Sequence, residues 1–151
     1  MYKKILVPLD GSELSECVLE HVREIATGVQ VTEVVLLRII EELPQLAYSE
    51  TSEEIVQEAE AKAASDFKDY LAQLANKLEK EGIATQTVVV QGKPADEILN
   101  YAEKNQVDLI IMSTHGRSGI SRWVFGSVAD KVVRHSTFPI FIVPPKGCRV
   151  G

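Results

Sequence analysis

The sequence predicts an α/β domain: a single open, five-stranded parallel sheet with helices on both faces. Three observations predict it. Short runs rich in β-branched and apolar residues alternate with helical patterns along the chain. Two of those runs, Val34-Val-Leu-Leu37 and Leu109-Ile-Ile-Met112, are continuously apolar, as strands covered on both faces should be, and belong in the middle of the sheet. The length, 151 residues, suits one domain, enough to bury roughly two thirds of the surface its unfolded chain exposes.

The expected strands are residues 4–9, Glu33–Ile40, Thr85–Gln91, 107–113 and Ile140–Val143. The first helix, residues 13–27, starts after Asp10-Gly-Ser12 and stops at Gly28, a natural position for a left-handed cap. The second, residues 53–81, places Ile55, Ala59, Ala63, Phe67, Tyr70, Leu74 and Leu78 at spacings of three or four, which predicts one apolar stripe facing the sheet. Thr51 and Glu54 have capping-box spacing at its start, and Gly82 follows its end. The third begins with Pro94 in its first turn, where the missing N–H costs nothing. The fourth, residues 126–135, has capping-box spacing at Ser127 and Asp130, with Lys131, Arg134 and His135 toward its negative end. Residues 41–52, containing Pro44, Ser49, Thr51 and Ser52, lack sustained periodicity and read either as a mobile loop over the sheet's C-terminal edge or as a solvated connector.

Composition narrows the function. Cys17 and Cys148 make no CxxC or zinc-ligand spacing, and Cys17, inside a helical pattern, reads as a packed thiol, so neither disulfide nor metal is expected to be needed for folding. No N-terminal signal pattern is seen, and no apolar run approaches the ~20 residues that cross a bilayer, so a soluble cytoplasmic protein without a membrane partner is expected. A net charge of −6 opposes a generic nucleic-acid surface, and any phosphate ligand must be held locally. Residues 1–145 read as the domain and 146–151 as a flexible tail after Pro144-Pro145.

The stretch Ser113-Thr-His-Gly-Arg-Ser-Gly-Ile-Ser-Arg-Trp-Val-Phe-Gly-Ser127 lies between the fourth strand and the fourth helix, where a parallel sheet binds phosphate. Gly116, Gly119 and Gly126 let backbone approach a ligand closely, and Gly126-Ser127 opens a helix whose unpaired N–H groups and positive dipole end favour an anion. Two standard motifs are excluded. Gly126-Ser127 has neither the preceding Gly-x4 spacing nor the lysine of a P-loop, and Gly116-Arg-Ser-Gly119 lacks GxGxxG spacing and follows the wrong strand for a dinucleotide fingerprint.

The chain resembles, over about residues 2–144, the universal stress protein family in its nucleotide-binding branch. The resemblance rests on Ile5-Leu-Val-Pro-Leu-Asp-Gly-Ser12, Val34-Val-Leu-Leu-Arg-Ile39, Gly92-Lys-Pro94, Val107-Asp-Leu-Ile-Ile-Met-Ser-Thr-His-Gly-Arg-Ser-Gly119, Gly126-Ser127 and Phe138-Pro-Ile-Phe-Ile-Val-Pro144. The family's ATP signature is Gly, two residues, Gly, nine residues, then Gly and Ser or Thr; Gly116, nine residues and Gly126-Ser127 fit it, while its first position falls on Ser113. Serine adds a hydroxyl there, which could crowd a closely approaching ligand or donate a hydrogen bond to it.

That resemblance implies a Rossmann-like sheet of strand order 3-2-1-4-5 and an ATP site, with Mg²⁺ held through the phosphates, formed by Pro8, Leu9, Asp10, Ile39, Met112, Ser113, His115, Gly116, Arg117, Gly119, Gly126, Ser127 and Val128. Asp10 would meet the nucleoside and avoid the phosphates, which like-charge repulsion also demands; capping of the following helix is its other reading, and the two could coexist. The Ile39 backbone would meet the adenine edge, although a plain core residue fits equally. The Ser127 hydroxyl and the N–H groups of Gly126, Ser127 and Val128 would hold the triphosphate. Arg117 could pair with a phosphate, and His115 reads as structural at the turn. With no convincing base and no Walker lysine, phosphoryl transfer lacks its nucleophile-positioning group. The expected function is a stress-response protein that binds ATP or another adenine nucleotide as a regulatory ligand, with slow hydrolysis at most. A nucleotide-free adaptor and a true ATPase are the alternatives. The resemblance also implies a homodimer through residues 139–144, an apolar edge otherwise left bare, with Ile142 the position where a charge would disrupt it if that side chain faces the partner.

Overall fold

The computed structural model describes residues 1–41, 53–114 and 126–144. Five strands, β1 (Lys4–Pro8), β2 (Glu33–Ile40), β3 (Thr85–Gln91), β4 (Leu109–Ser113) and β5 (Ile140–Val143), form one parallel sheet of order β3-β2-β1-β4-β5. Five described helices join them: α1 (Glu13–Glu16), α2 (Val18–Gly28), α3 (Glu53–Lys80), α4 (Pro94–Lys104) and α5 (Ser127–His135). Strand β1 pairs with β2 through Ile5 opposite Val34 and with β4 through Ile5 opposite Leu109, so the chain reverses its direction of travel across the sheet beside β1.

Side chains alternate across each strand and build two cores. Ile5, Val7, Val34, Leu36, Leu109 and Ile111 pack on one face against α2 and the second half of α3. On the other, Leu6, Val35, Leu37, Ile110 and Met112 pack against α4 and α5. The continuously apolar runs of β2 and β4 are thus buried from both sides, and both strands flank β1, as expected.

Helix boundaries depart from expectation in instructive ways. The segment expected as one helix over residues 13–27 is two, divided at Cys17, which packs against the first core as expected but is disulfide-bonded and not a free thiol. Gly28 remains helical, and Gln30, at φ 53°, takes the left-handed position instead. The Val31 N–H thereby reaches the Ala26 carbonyl (3.0 Å) and Val31 packs against the first core, a gain that offsets the cost of a left-handed glutamine. Gln106 (φ 54°) closes α4 the same way, with the Val107 N–H on the Ala102 carbonyl (3.1 Å). That bond takes Val107 out of the fourth strand, which begins at Leu109. Gly82 ends α3 as expected, at φ +85°, with Ile83 bonded back to Leu78 (3.0 Å).

The α3 stripe holds only in its second half. Leu71, Leu74, Ala75 and Leu78 are buried, whereas Ile55 is 58% exposed and Ala59 is exposed, and the buried residue of the first turn is Val56. The inward face there is thus one position on from the expected one, and the helix is also longer than the strands it covers: 28 helical residues span about 42 Å, whereas the 8 residues of β2 span about 26 Å.

A carboxylate ties the starts of β1 and β4 together. Asp108 Oδ2 accepts the backbone N–H groups of Lys4 (2.9 Å) and Lys3 (2.8 Å), and these bonds, Lys4's first, hold its pKa below the usual aspartate value. A depressed folded pKa contributes stability that is present above the unfolded value near ~3.9 and is lost as pH falls through the folded one. Asp108→Asn should therefore lower stability at neutral pH by about 1 kcal/mol. The deficit should shrink as thermal unfolding is repeated from pH 5 down toward pH 2, and one that stays constant across that range would refute the assignment.

Candidate functional site

The C-terminal edge of the sheet opens into a cavity of about 580 Å³ at the reversal beside β1, the place where open α/β sheets bind ligands. The ends of three strands form its floor: Pro8, Leu9 and Asp10 after β1, Leu37 to Glu41 at β2, and Met112, Ser113 and Thr114 at β4. Its walls are Ser15, Phe67, Pro94 and Ile98 and the start of α5 at Gly126, Ser127, Val128 and Ala129.

The start of α5 is fixed by backbone hydrogen bonds. Thr114 donates its N–H to the Val143 carbonyl (3.1 Å), and the Thr114 carbonyl accepts the Gly126 N–H (2.8 Å). The Gly126 carbonyl then accepts the Asp130 N–H (2.9 Å) as the first turn of the helix. Gly126 is the N-cap, and among the described residues no side chain caps the helix. The expected Ser127–Asp130 capping box is not formed: Ser127 is already the first helical residue, and the Asp130 carboxylate pairs with Arg134 (3.0 Å). The N–H groups of the first helical turn, from Ser127 onward, have no acceptor within the helix and carry the positive end of its dipole. Gly126 itself cannot contribute as expected, because its N–H is already given to Thr114. Its φ of −58° is ordinary for any residue, so what glycine supplies here is the missing Cβ.

Asp10 sits at the tip of the turn into α1. Its Oδ1 accepts the Ser12 N–H (2.9 Å), Ser12 Oγ accepts the Ser15 N–H (3.1 Å), and Ser15 Oγ accepts the Asp10 N–H (3.3 Å). Gly11, at φ +84°, makes this turn possible. The cap of α1 is thus Ser12, and Asp10, instead of capping the helix as its alternative reading had it, holds the N–H of the capping residue from its place on the cavity floor.

Above that turn lies a polar cluster on the α3 side. Tyr70 donates its hydroxyl to Glu16 Oε1, joining α3 to α1. Burial, followed by the hydrogen bond and charge of Glu16, pushes the Tyr70 pKa well above its ordinary value, with Asp10 adding to the rise and Arg38 opposing it. Tyr70 thus remains a neutral donor at physiological pH. Arg38, only 9% exposed, lays its guanidinium 4.2 Å from the centre of the Phe67 ring, a cation–π geometry.

Nine of the thirteen expected site residues line this one cavity: Pro8, Leu9, Asp10, Ile39, Met112, Ser113, Gly126, Ser127 and Val128. His115, Gly116, Arg117 and Gly119 lie outside the described residues. Sequence reasoning missed Arg38, Phe67, Ser15 and Glu41. A signal for Arg38 was present, since it is the one charged residue in the apolar run Val34 to Ile40. Phe67 was absorbed into the α3 stripe. The assembled chemistry is an anion-binding helix end, an apolar wall and a carboxylate able to accept from hydroxyl groups.

Comparisons with known proteins agree with this architecture. A sequence model of the universal stress protein family matches residues 1–144. Universal stress protein MJ0577 of Methanocaldococcus jannaschii is 33% identical over 158 residues, covering 97% of each chain. The solved structure of MJ0577 shares the fold at a TM-score of 0.84 and 34% identity, covering 95% of this chain and 96% of that one. At the level of fold alone, so do a universal stress protein in complex with cAMP (TM-score 0.65, 21% identity, 95% and 98% covered) and one from Archaeoglobus fulgidus in complex with dAMP (TM-score 0.62, 22% identity, 93% and 97% covered).

Proposed function

Because the chain belongs to the universal stress protein family, we propose that it is a regulatory member that binds ATP, with Mg²⁺ carried on the phosphates, in the cavity beside β1. The observation that carries this reading is the start of α5, a helix end without a side-chain cap that opens on a cavity of about 580 Å³. That volume is in the range of small-molecule sites. The phosphates would lie on the Ser127 and Val128 N–H groups and the Ser127 hydroxyl. The nucleoside would then run across Asp10 toward Ile39, with ribose hydroxyls donating to the Asp10 carboxylate. Adenine is favoured as the base by the Gly116–Ser127 signature, and two proteins of the same fold hold cAMP and dAMP.

The donor set suits a Mg²⁺ that arrives with the nucleotide. Among the described residues no three His, Cys, Asp or Glu side chains converge on a metal position, and the cavity's carboxylates are Asp10 and Glu41. Mg²⁺ held by phosphates and water needs no more than one or two such groups. With no Walker lysine and no convincing base in the sequence, hydrolysis should run well below ~1 per second, far under the ~10 per second of a median enzyme. ATP then acts as a ligand that selects a conformation or partner in the stress response, in the cytoplasm.

A homodimer through residues 139–144 belongs to the same proposal. Strand β5 is an edge strand, paired with β4 on one side only among the described residues. Its exposed side chain is Phe141 (40%), 5.7 Å from the ring of His21, whereas Ile140 and Ile142 pack against the second core. Ile142 is therefore the wrong probe of the contact, and Phe141 is the better one.

Isothermal titration with ATP, ADP and AMP tests the proposal. Silence with all three, in heat and in thermal shift, would turn the reading to a nucleotide-free adaptor. Gly126→Val should fold normally and lose nucleotide binding, because a branched side chain would stand where phosphate must meet backbone; undiminished ATP affinity in the folded variant would remove the phosphates from α5. Phe141→Lys should leave the fold intact and shift the protein from dimer to monomer at micromolar concentration in light scattering. A parent protein that is already monomeric there would end the dimer reading.

A further inference from the structure

We propose that Arg38 is a ligand-binding residue that sets the cavity's charge, selecting phosphorylated nucleosides over free ones. The inference rests on the nucleotide reading above and names a residue that reading does not use.

The charges on the described lining are few. Asp10 and Glu41 are negative, and Arg38 is the single positive side chain among them. The whole chain carries −6. Without Arg38 a polyanionic ligand would enter a cavity whose described side chains oppose it, with only the α5 dipole in its favour. An arginine keeps its charge at any physiological pH.

This guanidinium is also pre-placed. It extends from a central strand, is 9% exposed, and rests against the Phe67 ring at 4.2 Å. Stacking engages its flat face and its Nε is buried, so a ligand acceptor would meet the terminal nitrogens of the guanidinium. A charge fixed in a partly desolvated site acts more strongly and with less ordering cost than a mobile surface charge, which salt would screen. Arg38 lies on the α3 side of the sheet edge and α5 on the other, so two positive features face the cavity from opposite sides.

The test compares ATP, AMP and adenosine on the full chain by isothermal titration. In Arg38→Met the loss of affinity should grade with ligand charge: about tenfold or more for ATP, smaller for AMP, and none for adenosine. Arg38→Lys, which keeps the charge, should retain most of the ATP affinity. Should Arg38→Met not fold, Arg38→Gln gives the same reading. Equal losses for all three ligands, no loss, or an Arg38→Lys variant as impaired as Arg38→Met would each overturn the inference. A parent protein that binds none of the three would instead overturn the nucleotide reading itself.

Discussion

The position of the site depends on one residue's backbone. Thr114, 3% exposed, gives its N–H to Val143 and receives the N–H of Gly126. The first bond extends β4 by one residue along β5; the second fixes Gly126 at the end of β4 and aims α5 at the cavity. A helix end binds an anion only if its N–H groups are held where the anion will sit, and these two bonds do that without side chains. They also place the outermost strand one hydrogen bond from the candidate phosphate position. A change in how β5 is covered therefore has a short physical route to α5, and a ligand on α5 has the same route back. Whatever partner lies on that edge is structurally adjacent to the cavity.

The second constraint is strand parity. Along β2, Leu37 and Ile39 belong to the core beneath α4 and α5, while Arg38 points to the α3 side, where Phe67 receives it. Within the sheet the two faces never meet. At its C-terminal edge the helices no longer separate them, and a single cavity is lined from both. Alternation that elsewhere only sorts two apolar cores here delivers unlike chemistry to one space: an apolar wall from odd positions and a cation from an even one.

Strands were legible because burial on both faces leaves a plain mark, the uninterrupted apolar runs of β2 and β4. Strand order was not legible from alternation alone and came with the family resemblance, whose order the structure reproduces. Helix ends were less readable. Gly28 looked like a terminator, yet the chain placed its left-handed residue at Gln30 so that Val31 could pack, and a tertiary contact outweighed local preference. The α3 stripe failed in its first turn because the residue that turns inward there is Val56, next to the Ile55 that the spacing selected. At the site, motif spacing found the strand ends and α5, because spacing reports backbone placement. It could not find Arg38 and Phe67, which meet only across the packing of α3 on β2. The signature residues of 115–125 lie outside the described chain, so the site as described stands on its strand ends and on α5.

Asp10 shows why a structural and a functional role need not compete. One of its carboxylate oxygens accepts the Ser12 N–H, and Ser15 holds its backbone in return, so the turn into α1 is closed on itself. Such a turn costs something to maintain, since Gly11 must sit at a positive φ that other residues rarely adopt. What the arrangement secures is a carboxylate fixed at the tip of the central strand rather than swinging on a loop. A carboxylate fixed there repels phosphate and accepts from hydroxyls, so under the proposed function it would orient a nucleotide even where it adds little affinity. The turn ahead of the Ser12 cap is thus what holds Asp10 in place, and Tyr70, anchored to Glu16, extends that rigidity from α1 to α3.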